Sequence, residues 1–434
     1  MGYFARLGMG TVACALMVAG MLACSHQVGT SDDSLNQPLR VLLVSDPFAH
    51  ALQRIEPQLR DQLDMRLEVV DYNSLHTILM RDSDLVQSDF DLISIDVLWL
   101  KELVEAGALL NLESHLSDII DNPDDFLGLA WQQCQYEGQQ WAIPIQPHAE
   151  LLWLRDDLLA TIETDPPRTT TDLLRVAAAL HAPEEGRYGI VWNAQRGHPL
   201  GQSMAHFYAA HGADILDADG RPALDSPEGI AAATFARDLL AYSPPDILQI
   251  AWDERVARFA LGQAAITYGW GARSTILAPD GANPLAEHVS YHPAPHAPGS
   301  TPVSPLGTWA LAIPANLGER QERALQALQL LSTASTHRLL VESGMAASPR
   351  RSLLKDPTLQ GQHPIFSVMQ DLEASKALGS HMRPAISQGP QLSRILGTVF
   401  HDMLQGHLSP EEAVRTAQRQ ALAIWDSSHS TDEP

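Results

Sequence analysis

The chain has 434 residues, enough for two or three domains with sizeable cores, and 45% of them are hydrophobic. Its formal net charge of −24 argues against nucleic acid and against an anionic membrane surface as direct partners, because both attract clustered positive charge. The three cysteines, Cys14, Cys24 and Cys134, fit neither a disulfide framework nor a zinc site.

The N-terminal segment has the pattern of a targeting sequence. Arg6 precedes an apolar stretch at 8–23 that is short for a membrane span, and Cys24 follows a small residue at its end. This pattern resembles a bacterial lipoprotein signal, which implies that 1–23 is removed and that Cys24 is lipidated. A secretory signal that leaves Cys24 free is the alternative. The polar stretch 24–38 is typical of a flexible tether.

The next segment alternates between short apolar runs and helical spacing of apolar residues. In chain order, the predicted strands and helices are Leu39–Val44, Phe48–Leu63, Leu67–Val70, Leu75–Met80, Phe90–Val97 and Trp99–Ala106. Strands that alternate with helices are typical of an α/β lobe with a mostly parallel sheet.

The stretch Trp141–Arg155 contains two apolar runs separated by a polar break with two prolines. Proline disfavours the middle of a buried strand, so we expect the chain to change role at Gln146–His148. We interpret the stretch as a strand that leaves one lobe and enters another, with His148 and Glu150 at the floor of a cleft. An ordinary kinked strand is the alternative.

The second half also alternates between the two patterns. Its predicted elements are Thr171–Leu180, Tyr188–Trp192, Pro199–His211, Ser226–Tyr242, Glu254–Leu261, Ala264–Tyr268, Thr308–Ile313 and Glu319–Ser332. The stretch 278–305 is rich in Pro, Gly, Ala and His and is predicted to be a loop, and the remainder to about Trp425 is predicted to be mostly helical.

Five sequence segments resemble, in their order and spacing, motifs of the extracellular solute-binding proteins of ABC importers. The resemblance is to the sugar-binding branch of that family, which includes maltose-binding protein. The segments lie at 90–112, 136–159, 259–274, 305–314 and 411–425. The resemblance implies an α/β protein of two lobes, each a mostly parallel sheet flanked by helices. Ligand binds in the cleft between the lobes, the lobes close like a hinge, and a membrane permease recognises the closed form.

The resemblance also implies a domain organisation and a set of partners. We assign 39–146 and 306–346 to lobe I, 147–305 and 347–426 to lobe II, and 427–434 to a disordered tail. The expected ligand is a sugar or polyol, bound by a monomer at the periplasmic or extracellular face, without a cofactor or covalent chemistry. A sensor that presents its closed form to a receptor is one alternative, and a secreted glycoside hydrolase is another.

A cleft for neutral sugars needs aromatic rings for the apolar ring face and polar side chains for the hydroxyl groups. Asp46 follows the first strand and is a ligand candidate or a helix cap. Asp96 and Trp99 lie in the family's ligand loop. As alternatives, Asp96 caps the following helix and Trp99 is a core residue. His148 and Glu150 lie at the crossing between the lobes.

The second lobe and the second crossing supply the other candidates. Trp192 and Arg196 follow a strand. Arg196 either binds vicinal hydroxyl groups of the ligand or forms an ion pair on the surface. Trp270 stands between two glycines, which permit a close approach to a ligand. Trp309 lies on the second crossing and faces ligand or core, and Arg383 matches a recurrent family position.

The sequence offers two other functions for comparison, a metal site and an enzyme. Glu287, His288, His292 and His296 have the spacing of zinc ligands on a helix, but the prolines among them disfavour a helix and favour a solvated loop. The sequence contains no H-E-x-x-H, no G-x-S-x-G and no P-loop. We therefore expect binding without catalysis and without a metal.

Overall fold

The structure, a computed structural model, describes residues 37–277, 283–381, 384 and 386–429. The predicted signal peptide, the predicted lipidation site Cys24 and the predicted ligand residue Arg383 lie outside these ranges. Within them, none of the helices combines the length and the apolar character that a membrane span needs.

The described strands form one large mixed sheet and one small hairpin. They are β1 (Leu39–Val44), β2 (Met65–Val70), β3 (Leu92–Asp96), β4 (Gln135–Tyr136), β5 (Gln139–Gln140), β6 (Ile143–Arg155), β7 (Tyr188–Val191), β8 (Ala264–Trp270), β9 (Val289–His292), β10 (Ser304–Ala312) and β11 (Leu378–Gly379). The large sheet has the order β2-β1-β3-β10-β6-β8-β7, with β11 beside β10 and β9 beside β6. Strands β4 and β5 pair with each other.

The described α-helices surround this sheet. They are α1 (Pro47–Leu59), α2 (Tyr72–Ser83), α3 (Leu100–Glu105), α4 (Leu116–Ile119), α5 (Gly128–Gln133), α6 (Asp156–Thr161), α7 (Thr170–Leu180), α8 (His198–Ala210), α9 (Pro227–Leu239), α10 (Trp252–Ala260), α11 (Gln321–Ser332), α12 (Ala334–Glu342), α13 (Arg351–Leu354), α14 (Pro357–Gln362), α15 (Ile365–Ala374), α16 (Gly389–Leu404) and α17 (Pro410–His429).

The first half of the sheet follows the predicted alternation of strand and helix. Strand β1 pairs in parallel with β2 and β3, and its residues are buried except for the half-buried Arg40. Helix α1 buries an apolar stripe that includes Leu52 and Ile55 against this sheet. The helix ends at Leu59, four residues before the predicted end, because the chain must turn to begin β2 at Met65.

Strand β6 crosses from one half of the sheet to the other without a break. Residues 143–149 pair with β10, whereas Glu150–Leu154 pair with β8. The predicted change of role at Gln146–His148 is therefore an exchange of strand partners, and it occurs slightly later in the chain, between Ala149 and Glu150. Pro144 stays within the strand because the register with β10 shifts there, and such an irregularity accommodates a residue that lacks an N–H donor.

In the second half of the sheet, one predicted loop contains a strand. The stretch 278–305 was predicted to be a loop, yet Val289–His292 forms β9 and pairs with Leu152–Arg155 of β6. Local composition misleads here because the edge of β6 supplies hydrogen-bond partners from more than 130 residues away.

Helices α8 and α16 pack at unusually close range. A Cβ atom at Gly397 would lie 1.7 Å from the carbonyl oxygen of Gly197, and one at Gly201 would lie 2.0 Å from that of Ser393. Both positions therefore require glycine. This contact fixes the first turn of α8, where His198 lies, against the body of α16.

Candidate functional site

A pocket of about 310 Å³ lies where the two halves of the sheet meet. Residues at or just after the ends of β1, β2 and β3 line one wall, and residues from α8, α10 and the end of β8 line the other. The crossing strands β6 and β10 supply its floor through Gln146, His148 and Trp309. A volume of this size suits one small ligand rather than a long chain.

Strand register explains how distant residues reach the same floor. In the antiparallel pairs of β10, Trp309 lies opposite Asp96 of β3 on one side and opposite Gln146 of β6 on the other. Directly opposite residues project on the same face of a sheet, so these three side chains form one row. His148 extends the row because residues two apart in a strand share a face.

Aromatic rings line both walls. Tyr72 begins α2, Trp252 begins α10, Trp270 ends β8 and Trp309 lies on β10. The ring centroid of Tyr72 lies 5.8 Å from that of Trp252 and 5.9 Å from that of Trp309. The Trp270 ring packs against the edge of His148, with centroids 4.6 Å apart. The pocket thus offers apolar faces to the carbon skeleton of a ligand.

A short chain of hydrogen bonds holds Asp46 in place. The backbone N–H of Phe48 donates to Oε1 of Gln146 at 2.7 Å, so the other end of that amide must be its donor. Nε2 of Gln146 donates to Oδ1 of Asp46 at 2.5 Å. Asp46 is also the residue before α1, but its side chain makes no capping hydrogen bond. Its carboxylate faces the pocket instead.

Arg273 follows β8 and reaches across the pocket. Its Nη1 donates to both carboxylate oxygens of Asp46, at 3.2 and 3.3 Å, and its Nε lies 2.6 Å from Oδ1 of Asp253. Burial by itself would lower the pKa of Arg273, but the charges of Asp46 and Asp253 raise it above its usual value. Arg273 therefore remains a cation that is paired with one carboxylate from each wall.

A second bridge joins the walls through Tyr72. Its hydroxyl donates to Oδ2 of Asp96 at 3.1 Å and lies 3.0 Å from Nε2 of His198. Nδ1 of His198 lies 2.7 Å from Oγ of Ser393 on α16. On the same wall, Nε1 of Trp252 donates to Gln202, whose amide nitrogen lies 3.1 Å from His198. These contacts connect the two walls as in a closed cleft.

Five of the ten predicted ligand residues line this pocket. They are Asp46, Asp96, His148, Trp270 and Trp309. The reason given for Trp270 needs correction, because its neighbouring glycines make room for protein rather than for ligand. A Cβ at Gly269 would lie 2.6 Å from the Trp153 ring, and one at Gly271 would lie 2.9 Å from Ile365.

Two predicted aromatic residues lie in the core instead of the pocket lining. Trp99 is buried, and its ring centroid lies 4.8 Å from that of Tyr72 and 5.9 Å from that of Trp309. Trp192 is buried against Phe207, and its Nε1 donates to Oγ of Ser243 at 3.0 Å. Both rings therefore support neighbouring elements.

Two predicted charged residues are engaged in ion pairs outside the pocket. Glu150 shares the pocket-facing side of β6, but α10 covers it and Arg255 pairs with both of its carboxylate oxygens. Arg196 is exposed and pairs with Asp402 of α16. The predicted ligand residue Arg383 lies outside the described residues.

Sequence reasoning missed several residues that line the pocket. They are Tyr72, Gln146, Gln202, Trp252, Asp253 and Arg273. A signal was present for two of them: Trp252 precedes two acidic residues at the start of a helix, and Arg273 follows the glycine-flanked Trp270. Gln146 lies in the polar break at Gln146–His148, which was a local signal as well. Tyr72, Gln202 and Asp253 gave none, because each becomes part of the pocket only through partners far away in sequence.

The predicted histidine-rich segment does not form a metal centre in the described part of the chain. No group of three or more His, Cys, Asp or Glu side chains there is arranged to hold an ion. Nε2 of His292 lies 2.8 Å from Oγ of Ser290, and Nδ1 of His296 lies 3.0 Å from its neighbouring carbonyl oxygen. The preferred interpretation of this segment, a solvated loop, is wrong for Val289–His292, which forms β9.

A second cavity of about 380 Å³ lies beside α5 and is lined by residues such as Leu98, Gln133 and Leu216. Gln133 contacts the hydroxyl of Thr308, the residue next to Trp309 on β10. Neighbouring residues of a strand project on opposite faces, so this cavity lies behind the crossing strands. It lacks the tryptophan rings and the paired polar groups of the pocket, which remains the candidate site.

The comparisons with known proteins agree with this arrangement. A family described as bacterial extracellular solute-binding protein matches residues 64–337. The chain is 25% identical over 393 residues to the mannitol-binding protein of Pseudomonas aeruginosa, covering 85% of this chain and 88% of that protein.

Two solved structures show the same fold. A solute-binding protein from Agrobacterium radiobacter K84 in complex with ribitol superposes with a TM-score of 0.84 at 26% identity, covering 90% of this chain and 99% of that one. Maltose-bound MalE3 of T. maritima superposes with a TM-score of 0.79 at 22% identity, covering 89% and 100%. These likenesses confirm the predicted two-lobed α/β fold and the predicted family resemblance.

Proposed function

Because the chain belongs to the family of bacterial extracellular solute-binding proteins, we propose that it binds one small polyol or monosaccharide for an ABC importer. The ligand occupies the pocket between the two halves of the sheet and is passed to a membrane permease. The family places the protein at the periplasmic or extracellular face.

The composition of the pocket carries this proposal. Tyr72, Trp252, Trp270 and Trp309 supply apolar faces, and Gln202, among other polar side chains, supplies hydrogen-bonding groups to the same space. A polyol has carbon and hydroxyl faces that need both kinds of partner, because buried hydroxyls must be hydrogen-bonded. The ligands of the mannitol-binding relative and of the ribitol complex belong to this class.

Binding is coupled to closure of the lobes. We assign 39–146 with 306–346 to one lobe and 147–305 with 347–426 to the other, so that β6 and β10 are the crossing strands. The contacts of Arg273 with Asp46 and of Tyr72 with His198 join the two lobes. A ligand shifts the equilibrium between the open and the closed form only by its stronger contacts with the closed form.

The mode of attachment forms part of the proposal. A lipid on Cys24 holds the protein at the membrane, and the chain acts as a monomer whose closed form is recognised by the permease. Mass spectrometry of the membrane fraction tests the anchor: an acylated Cys24 at the mature N-terminus supports it, and an unmodified Cys24 contradicts it.

Isothermal titration calorimetry of the purified protein tests the function. D-mannitol, ribitol, D-glucose and maltose are titrated separately, and we expect saturable binding of a polyol or monosaccharide at one site per chain. Trp270→Ala should weaken that binding at least tenfold, because the ring forms part of the pocket wall. Trp192→Phe alters a core tryptophan outside the lining and serves as the matched control.

Two outcomes would overturn the proposal. No binding by a folded protein would exclude these ligands, and equal affinity of the Trp270→Ala variant would exclude this pocket. Chromatography of maltose after prolonged incubation separates binding from glycoside hydrolysis. We expect the sugar to be recovered unchanged, because a binding protein releases its ligand without covalent chemistry.

A further inference from the structure

Arg273 is held between the buried floor and the exposed rim of the pocket. Its side chain is 16% exposed, that of its partner Asp46 is 10% exposed, and that of Asp253 is 81% exposed. The two carboxylates come from elements on opposite walls. The guanidinium group is thus fixed in orientation from two directions, which leaves its remaining donors in a defined place.

Counting donors shows what remains for a ligand. A guanidinium group has five N–H bonds: one on Nε and two on each terminal nitrogen. Asp253 engages Nε and Asp46 engages Nη1, whereas Nη2 makes no hydrogen bond or ion pair within the described residues. Nη2 therefore keeps both of its N–H bonds as donors for the oxygen atoms of a ligand.

The charge around Arg273 determines which oxygen atoms it accepts. Arg273 shares the lining with Asp46, Asp71, Asp96 and Asp253, and neither lysine nor a second arginine lines the pocket in the described residues. Its positive charge is already compensated by two carboxylates. A phosphate or carboxylate ligand would therefore gain little net attraction from Arg273 together with its two carboxylate partners.

We propose that Arg273 determines ligand specificity by donating from Nη2 to hydroxyl groups of a neutral polyol, while its two carboxylate partners exclude anionic ligands. This inference rests on the proposed function and narrows it, because it separates free polyols from their phosphate esters. It assigns Arg273 a direct contact with ligand in addition to its bridge between the walls.

Calorimetry with D-mannitol and mannitol 1-phosphate tests this assignment. The wild-type protein should bind mannitol at least 100-fold more tightly than its phosphate ester. Arg273→Lys keeps the charge but removes the Nη2 donors, so mannitol affinity should fall at least tenfold. Asp253→Asn leaves part of the guanidinium charge uncompensated, so the ratio between the two affinities should shrink at least fivefold.

Arg258→Lys is the matched control, since Arg258 pairs with Asp246 and Glu254 outside the pocket lining. It should bind both ligands as the wild-type protein does. Circular dichroism confirms that each variant is folded, and Asp253 lies exposed on the rim, so its substitution tests the charge effect independently of the core.

The possible failures are distinguishable. If the wild-type protein binds neither compound, the proposed function is wrong for mannitol and the inference falls with it. If the wild-type protein binds mannitol but Arg273→Lys binds it equally well, the contact assigned to Arg273 is wrong and the proposed function stands. Equal affinity of the wild-type protein for the phosphate ester would overturn the charge argument alone.

Discussion

Two arginine–carboxylate pairs in this protein have the same chemistry and different surroundings. Arg255 and Glu150 are 1% and 3% exposed, and Arg255 lies on the buried side of α10. Arg273 and Asp46 are 16% and 10% exposed and face the pocket. Both pairs connect distant elements, but only the second keeps access to a ligand.

The difference lies in which hydrogen-bonding capacity is used. Both terminal nitrogens of Arg255 donate to Glu150, so that carboxylate is fully engaged within the protein. Nη1 of Arg273 donates to Asp46 and its Nε forms an ion pair with Asp253, whereas Nη2 has no partner among the described residues. Nε of Arg255 also has no hydrogen-bond partner in that part of the chain, but that atom is buried. A polar residue near a cleft is therefore a ligand candidate only when the part that its protein partners leave unused stays accessible.

The largest expected effect on stability comes from breaking the covered pair. Glu150→Ala leaves the charge of Arg255 buried without a partner, and we expect the free energy of unfolding to fall by about 3–5 kcal/mol. Urea denaturation measures this change. A loss below about 1 kcal/mol would mean that Arg255 finds water or another partner, and that the pair is not a structural support.

Acid should weaken the same region through His206. Burial, with a smaller contribution from the charge of Arg255, lowers the pKa of His206 to about 3, whereas the unfolded chain has the ordinary pKa of about 6.5. Between these two values the unfolded state binds a proton that the folded state does not, so stability falls as pH decreases. The expected loss from His206 is about 2 kcal/mol between pH 7 and pH 5.

Burial likewise lowers the pKa of His337 to about 3, which should add a similar loss. Urea denaturation of the wild-type protein and of His206→Gln at both pH values isolates one contribution, with the exposed His407→Gln as control. A pH slope that is unchanged in His206→Gln would show that the buried ring is not the source.

The smallest expected effect concerns a third arginine pair, that of Arg196 with Asp402 on the surface. Their side chains are 44% and 36% exposed, so solvent screens the attraction. Arg196→Ala should lower the free energy of unfolding by about 0.2–1 kcal/mol and leave polyol affinity as it is. A tenfold loss of affinity would instead return Arg196 to the ligand contacts predicted from sequence.

The same contrast explains which site residues could be found in the sequence. Trp270 and Trp309 were found because they lie on apolar strands with strong local patterns and because those strands resemble a known family. Glu150 was chosen for its position on β6, but its cover, α10, begins about 100 residues later. Only the structure shows that Arg255 of that helix satisfies it.

The sequence by itself determined the alternation of strands and helices, the two crossing segments and the family resemblance, because hydrophobic periodicity and short phrases are local properties. The tertiary structure decided the site. Gln146 lies 100 residues from Asp46, Tyr72 lies 126 from His198, and Arg273 lies 227 from Asp46. Contacts over such distances arise only when the whole sheet is assembled, since strand order and register, rather than local spacing, set which side chains meet.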